Sequence, residues 1–108
     1  MITAVDVARD NDRFRVLGDG KGRTLISEGV ANVRHAHRII NAVRGFNSFR
    51  ARHADPEHRF GEVEVAGEKC CFTVDYYADA TLQQSADPHK GPVYRVLSIM
   101  LASERKGS

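Results

Sequence analysis

Polar and apolar residues alternate most regularly between Phe60 and Tyr77, FGEVEVAGEKCCFTVDYY. Alternation with period two marks a strand with one face on a core. Placing Gly67-Glu68 in the reversal makes this stretch a β-hairpin. Val65 is then expected opposite Cys70, Val63 opposite Phe72, and Gly61 opposite Val74, all on one apolar face. Glu62 falls opposite Thr73, Glu64 opposite Cys71 and Ala66 opposite Lys69 on the other, mostly polar face. A slip of one residue would bury both glutamates, so the facing is strongly specified. Gly67 suits a two-residue turn that needs positive φ. By parity Tyr76 points to the core and Tyr77 away from it.

The other elements are read in the same way. Thr3 to Leu17 is expected to be a helix, with Thr3 as N-cap, Asp6 in a capping-box position, and an apolar side of Val7, Phe14 and Leu17 that Asn11 interrupts. The run Gly18-Asp19-Gly20-Lys21-Gly22 breaks it. Arg23 to Glu28 reads as a short strand ended by Gly29, and Asn32 or Val33 to about Phe46 as a second helix that Asn32 would cap. Arg50 to Arg59 is a polar loop, because Pro56 turns Asp55 away from helical geometry. Ala78 to Pro92 is another loop, with Asp87-Pro88 and Gly91-Pro92 as turn signals. Val93 to Ala102 is apolar on both parities, which fits a strand inside a sheet or a buried helix; its β-branched and aromatic start favours the strand. The tail SERKGS reads as frayed. The expectation is one α+β domain over 1–108: a four-stranded, mostly antiparallel sheet with two helices on one face, in the order α-β-α-β-β-β.

Composition narrows the function classes. The 108 residues are 42% hydrophobic and 28% charged, as in an ordinary globular domain with a modest core. No apolar run approaches the roughly 20 residues that span a bilayer, and the start carries acids rather than an apolar leader, so no membrane association and a cytoplasmic location are expected. A net charge of +2 is too balanced to announce a nucleic-acid binder. The distribution is uneven, however. Arg34, Arg38, Arg44, Arg50, Arg52, His53, His58 and Arg59 lie in one stretch and are the candidate interaction residues, opposed only by Asp55 and Glu57. A solvated helix face followed by a loop would look the same. The adjacent Cys70 and Cys71 point to opposite strand faces and suit no ordinary disulfide. Cys70 reads as core; Cys71 is expected to be partly exposed.

Candidate chemistry is sparse. The 50–59 loop feeds the hairpin, so Asp55, Glu57, His58 and Asp75 could meet at its end. Phe60 is expected opposite Asp75, with His58 near Tyr77. Such a carboxylate–imidazole cluster would serve acid–base or metal chemistry; loop carboxylates bonded to sheet-end backbone would give the same pattern. His35 and His37 fall on different helix faces and make a poor ligand pair. The glycine run follows a helix, not a strand, and lacks the P-loop spacing. No nucleophile motif, no HExxH and no paired-cysteine zinc spacing occurs. No catalytic residue, cofactor or metal is therefore assigned.

Specific segments nevertheless carry a likeness. Phe60, Gly61 and Glu64, then Asp75, Tyr76 and Tyr77, then Arg95 to Ala102 (RVLSIMLA) match the FG-x-x-E opening, DYY ending and terminal strand of a family of small bacterial proteins of unknown function, DUF3768, which the chain resembles. Weaker likeness runs through Asn11, Asp12, Phe14, Arg15, Gly29-Val30, Ala42, Val43, Arg44 and Phe46. The family's N-D-P-x-G-E-H-D-F-G approach stands here as Ala54 to Gly61, without the Asn, one Gly and the second Asp. The resemblance implies a proteobacterial protein often carried with mobile DNA, and no known reaction. Small size and that association lead to an expected non-enzymatic interaction or inhibitor protein, of the anti-CRISPR or anti-restriction kind, with a protein partner. The alternatives are a nucleic-acid-binding accessory protein, with arginines on phosphates and Tyr76 or Tyr77 stacking a base, and a small enzyme using Asp55, His58 and Asp75. Twelve of the 16 basic residues are Arg, which suits phosphate forks. An exposed edge strand at Arg23 to Glu28 would allow a homodimer.

Overall fold

A computed structural model describes residues 1–49 and 55–105. The elements are α1 (Ala4–Leu17), β1 (Gly22–Ile26), α2 (Glu28–Ala31), α3 (Ala36–Arg44), β2 (Phe60–Val65), β3 (Glu68–Tyr77) and β4 (Tyr94–Leu101), then one 3-10 turn, Ala102–Glu104. The four strands form one sheet in the order β1-β4-β3-β2. The two β3 pairings are antiparallel, whereas β1 runs parallel to β4. The α+β architecture with helices on one sheet face is thus as expected, with a mixed sheet.

Local chemistry explains the helix ends. The Thr3 hydroxyl accepts from the Asp6 N–H while the Asp6 carboxylate accepts from the Thr3 N–H, a reciprocal cap. Gly18 stops α1 in the left-handed region, at φ 75. The second expected helix is shorter, as α3 alone, and an extra short helix, α2, replaces the end of the expected strand. Ser27 leaves β1 to accept from the Val30 N–H, so it caps α2 and ends the strand at Ile26. Asn32 closes α2 rather than opening α3. Gly29, expected to end the strand, lies inside α2, where the Glu104 carboxylate packs: a Cβ there would sit 2.6 Å from it. Glu104 accepts from the Ser27 hydroxyl and from the Gly29 and Leu101 N–H groups, and the Ser27 bond leads in holding its carboxyl below the usual range. The stability this adds is complete above the unfolded carboxyl's pKa and is lost as pH falls through the lowered one.

The hairpin forms with the expected facing but a different register. Val65 pairs Glu68, Val63 pairs Cys70, Gly61 pairs Phe72 and Phe60 pairs Thr73. The reversal is Ala66-Gly67, not Gly67-Glu68, and both residues have positive φ, 51 and 83. A type I′ turn requires this at both positions, and its twist matches that of the strands. The difference shifts each partner by two, and because side chains repeat every two residues no side chain changes face. Cys70, Phe72, Val74 and Tyr76 are buried; Glu62 and Glu64 are exposed. Ala66 bears a left-handed conformation that disfavours a Cβ-bearing residue, whereas Asn tolerates it. Ala66→Asn should therefore raise stability by about 1 kcal/mol, read as a higher urea midpoint at unchanged slope. A lower midpoint would argue against this turn.

Gly61 is explained by its partner. The Phe72 ring covers it so closely that a Cβ would lie 2.4 Å from the ring. Phe46 and Phe49 meet the same ring edge-on, at 5.4 and 6.2 Å between centroids. Val93 to Ala102 resolves as strand β4, between β1 and β3. Its interior place explains the apolar residues of both parities: Leu97 and Ile99 are buried on the helix side and Val96 on the other. The 78–85 loop folds back so that Ser85 bridges Tyr77. Among the described residues, no helix is long and apolar enough to cross a membrane.

Candidate functional site

Two polar residues of α1, Asn11 and Arg15, turn inward and organise the region where the 55–59 loop meets the sheet. Asn11, the interruption in the apolar stripe, is fully buried. Its amide nitrogen donates to the Glu57 carbonyl (2.9 Å) and to the Tyr76 hydroxyl (2.8 Å), and its oxygen accepts from Arg95 Nε (2.6 Å). Tyr76 in turn donates to Glu57 Oε1 (2.9 Å), and His89 Nε2 lies 2.6 Å from Glu57 Oε2. Burial leads in pushing the Tyr76 hydroxyl up to about 12, so it stays a neutral donor. Arg59 and Arg95 flank its ring, at 4.8 and 5.7 Å.

One turn further along α1, Arg15 has a side chain only 2% exposed. Its Nε donates to the Val43 carbonyl (3.1 Å) and an Nη to the Phe46 carbonyl (2.7 Å), so the guanidinium caps the C-terminal end of α3 with the favourable sign. The other Nη meets Asp12 at 3.0 Å, and Asp12 also bonds His58 Nδ1 at 3.0 Å. His58 stacks flat on Phe49, centroids 4.0 Å apart, and Arg15 lies over the same ring at 4.9 Å. Asp12, Arg15, Phe49 and His58 thereby close a ring of contacts. His58 sits there at φ 59, in the left-handed region that residues other than glycine adopt uncommonly.

The carboxylates expected to meet at the hairpin end are separated. Asp55 turns back on its own loop and accepts from the Arg59 and Phe60 N–H groups. Glu57 joins Tyr76, and His58 joins Asp12 on the helix side, away from Tyr77. Asp75 lies on the opposite sheet face, where its neighbour is Arg59 at 3.2 Å. The pairing of Phe60 with Thr73 rather than Asp75 is one cause; the other is that α1, unforeseen as a partner, captures Glu57 and His58. An acid–base unit of Asp55, His58 and Asp75 is not assembled. No group of three or more His, Cys, Asp or Glu that could hold a metal occurs among the described residues.

Among the described residues, the basic stretch is spread over several places. Arg34 and Arg38 are exposed around the start of α3, Arg44 bonds the Val16 carbonyl, and Arg59 lies at the sheet edge over Tyr76. Arg50, Arg52 and His53 lie outside the described residues. Both thiols are buried, Cys71 included, and burial pushes both up, away from reactive thiolate. An open cleft of 780 Å³ runs between α1 and the 88–93 segment, lined by Asp6, Arg9, Asp10, Arg13, Pro88 and Arg95 among others.

Sequence reasoning missed Asn11, Asp12, Arg15, His89 and Arg95 as site residues. The available signal was Asn11 itself: a polar residue on an amphipathic helix's apolar stripe needs buried partners. No curated protein and no solved structure matches the chain. A family model described as "Protein of unknown function (DUF3768)" matches residues 25–104, which takes in every strand of the sheet but only the last two residues of β1. With that match spanning most of its length, the chain belongs to the DUF3768 family.

Proposed function

We propose that this protein acts by binding, as a non-enzymatic interaction protein, and that the sheet face opposite the helices meets its protein partner. One observation carries the reading. The helices all pack on one face, while the other presents Phe60, Thr73, Asp75, Tyr77, Tyr94, Ser98 and Met100, half-buried, around Cys71 and Val96. Exposed Glu62, Glu64 and Arg23 lie around this half-buried centre, in which aromatic and apolar side chains outnumber the polar ones. A desolvated centre with a charged rim of both signs is how protein interfaces are built. The partner class we put first is a host defence complex of the CRISPR or restriction type, on the grounds of small size and the mobile-DNA association that the family resemblance implies. Such a partner would place the protein in the cytoplasm.

The test is paired affinity capture with wild type and Thr73→Arg, a substitution at the centre of that face. Wild type should retain a partner that the variant loses while keeping its circular dichroism and melting curve. Equal retention by both would remove the face from the reading. A second reading, single-stranded nucleic acid, is favoured by the direct pairing of Tyr77 with Tyr94 on this face, with the Arg23 guanidinium 5.6 Å from the Tyr94 ring. Tyr76, buried against Asn11, is unsuited to stacking a base. Oligonucleotide binding that weakens steeply with salt supports this second reading; salt-insensitive binding dismisses it.

A further inference from the structure

We propose that His89 is a pH-controlled latch: as an imidazolium it ties the 87–93 loop to the N-terminal segment and to Glu57, and loss of its proton frees that loop from the mouth of the 780 Å³ cleft. The geometry requires the charged ring. Nδ1 lies 3.0 Å from the Ile2 carbonyl oxygen and Nε2 lies 2.6 Å from Glu57 Oε2. A carbonyl and an ionised carboxylate only accept, and a neutral imidazole has one N–H to give. Only the doubly protonated ring satisfies both at once.

The surroundings support that charge state. Glu57 faces the ring from the loop before β2, and its other oxygen is occupied by the Tyr76 hydroxyl from β3. Asp87, on the ring's own loop, adds a second negative charge. From α1 the group nearest this chain of bonds is the neutral Asn11 amide, which donates to Tyr76. The Glu57 bond leads in raising the His89 pKa above its ordinary value, with the Ile2 carbonyl next.

The loop has little else to hold it. Its remaining hydrogen bonds among the described residues are local: His89 N–H to the Asp87 carboxylate and Lys90 N–H to the Asp87 carbonyl. Burial of Pro88 and Val93 supplies the rest. Ile2, Pro88, Gly91, Pro92 and Val93 all line the cleft, so the latch joins two parts of its rim. The sign follows from the raised pKa. The stabilisation is complete below the unfolded imidazole's value, about 6.5, and disappears as pH rises through the folded value.

The test combines a histidine titration by NMR with amide exchange of the full chain. His89 should titrate above the ordinary imidazole value, and Glu57→Gln should lower it. Protection factors of residues 89–91 should fall as pH crosses that titration in wild type. In His89→Gln, which keeps Glu57 and the Tyr76 bond, they should be low at both pH values. A His89 titration at or below the ordinary value overturns the latch. So does protection that is equal on both sides of the titration, or unchanged in His89→Gln.

Discussion

Arg15→Ala should cost about 2–4 kcal/mol of folding stability, a large share of the roughly 5–15 kcal/mol that a domain possesses. The reason is what the guanidinium leaves behind. Two carbonyls at the end of α3, those of Val43 and Phe46, would lose their shared donor, and Asp12 would lose its cationic partner. The rings of Phe49 and Phe72, over which the guanidinium lies at 4.9 and 5.4 Å, would border a cavity. Lysine does not repair the site, since a single ammonium on a flexible stem cannot span three acceptors held in a fork. Arg15→Lys should therefore recover only part of the loss. Urea unfolding of the three proteins at neutral pH reads the effect. A cost for Arg15→Ala below 1 kcal/mol would mean that water replaces the guanidinium and that the α1–α3 contact is held by packing alone.

Phe72→Ala should cost a similar amount, about 3–5 kcal/mol, through a different mechanism. The ring is fully buried, spans the gap left by Gly61 and is met edge-on by Phe46 and Phe49. Removing it leaves a void between β2 and α3. The sharper measurement is the double-mutant cycle with Gly61→Ala. In the wild-type background the added methyl collides with the ring and should destabilise by about 1–3 kcal/mol. In the Phe72→Ala background the same methyl meets only the Phe46 ring, 2.8 Å away, which the void leaves room to shift, so its cost should fall well below the wild-type value. Glycine covered by a cross-strand aromatic ring predicts this loss of additivity. Additive costs would show that Gly61 serves its backbone conformation and not the ring.

The two parts of the ring network differ in how far the chain announces them. Asn11 stands in an apolar stripe, and Thr3 and Asp6 announce the cap that starts the helix bearing it. Nothing in the order of residues shows that the same helix reaches residues 46 positions later, at Glu57 and His58. That contact removes both from the hairpin end, where Asp55 and Asp75 are left without them. His89 is harder still. Its loop carries turn signals only, and its two acceptors come from distant stretches of the chain, at Ile2 and Glu57.

What the residues determine alone is what repeats over short distances. Alternation across Phe60 to Tyr77 settles which hairpin side is sealed, a capped amphipathic run settles α1, and a stretch apolar on both parities with a β-branched and aromatic start favours an interior strand for β4. These follow from periods of two and 3.6 residues, which each side chain's neighbours impose without reference to the rest. Tertiary structure decided the remainder: the turn at Ala66-Gly67, the start of α2 after Ser27 where Glu104 packs against Gly29, the parallel union of β1 with β4, and the capture of Glu57 and His58 by α1. Each depends on a partner distant in sequence, and the energy of a buried hydrogen bond or a filled gap exists only once that partner has arrived.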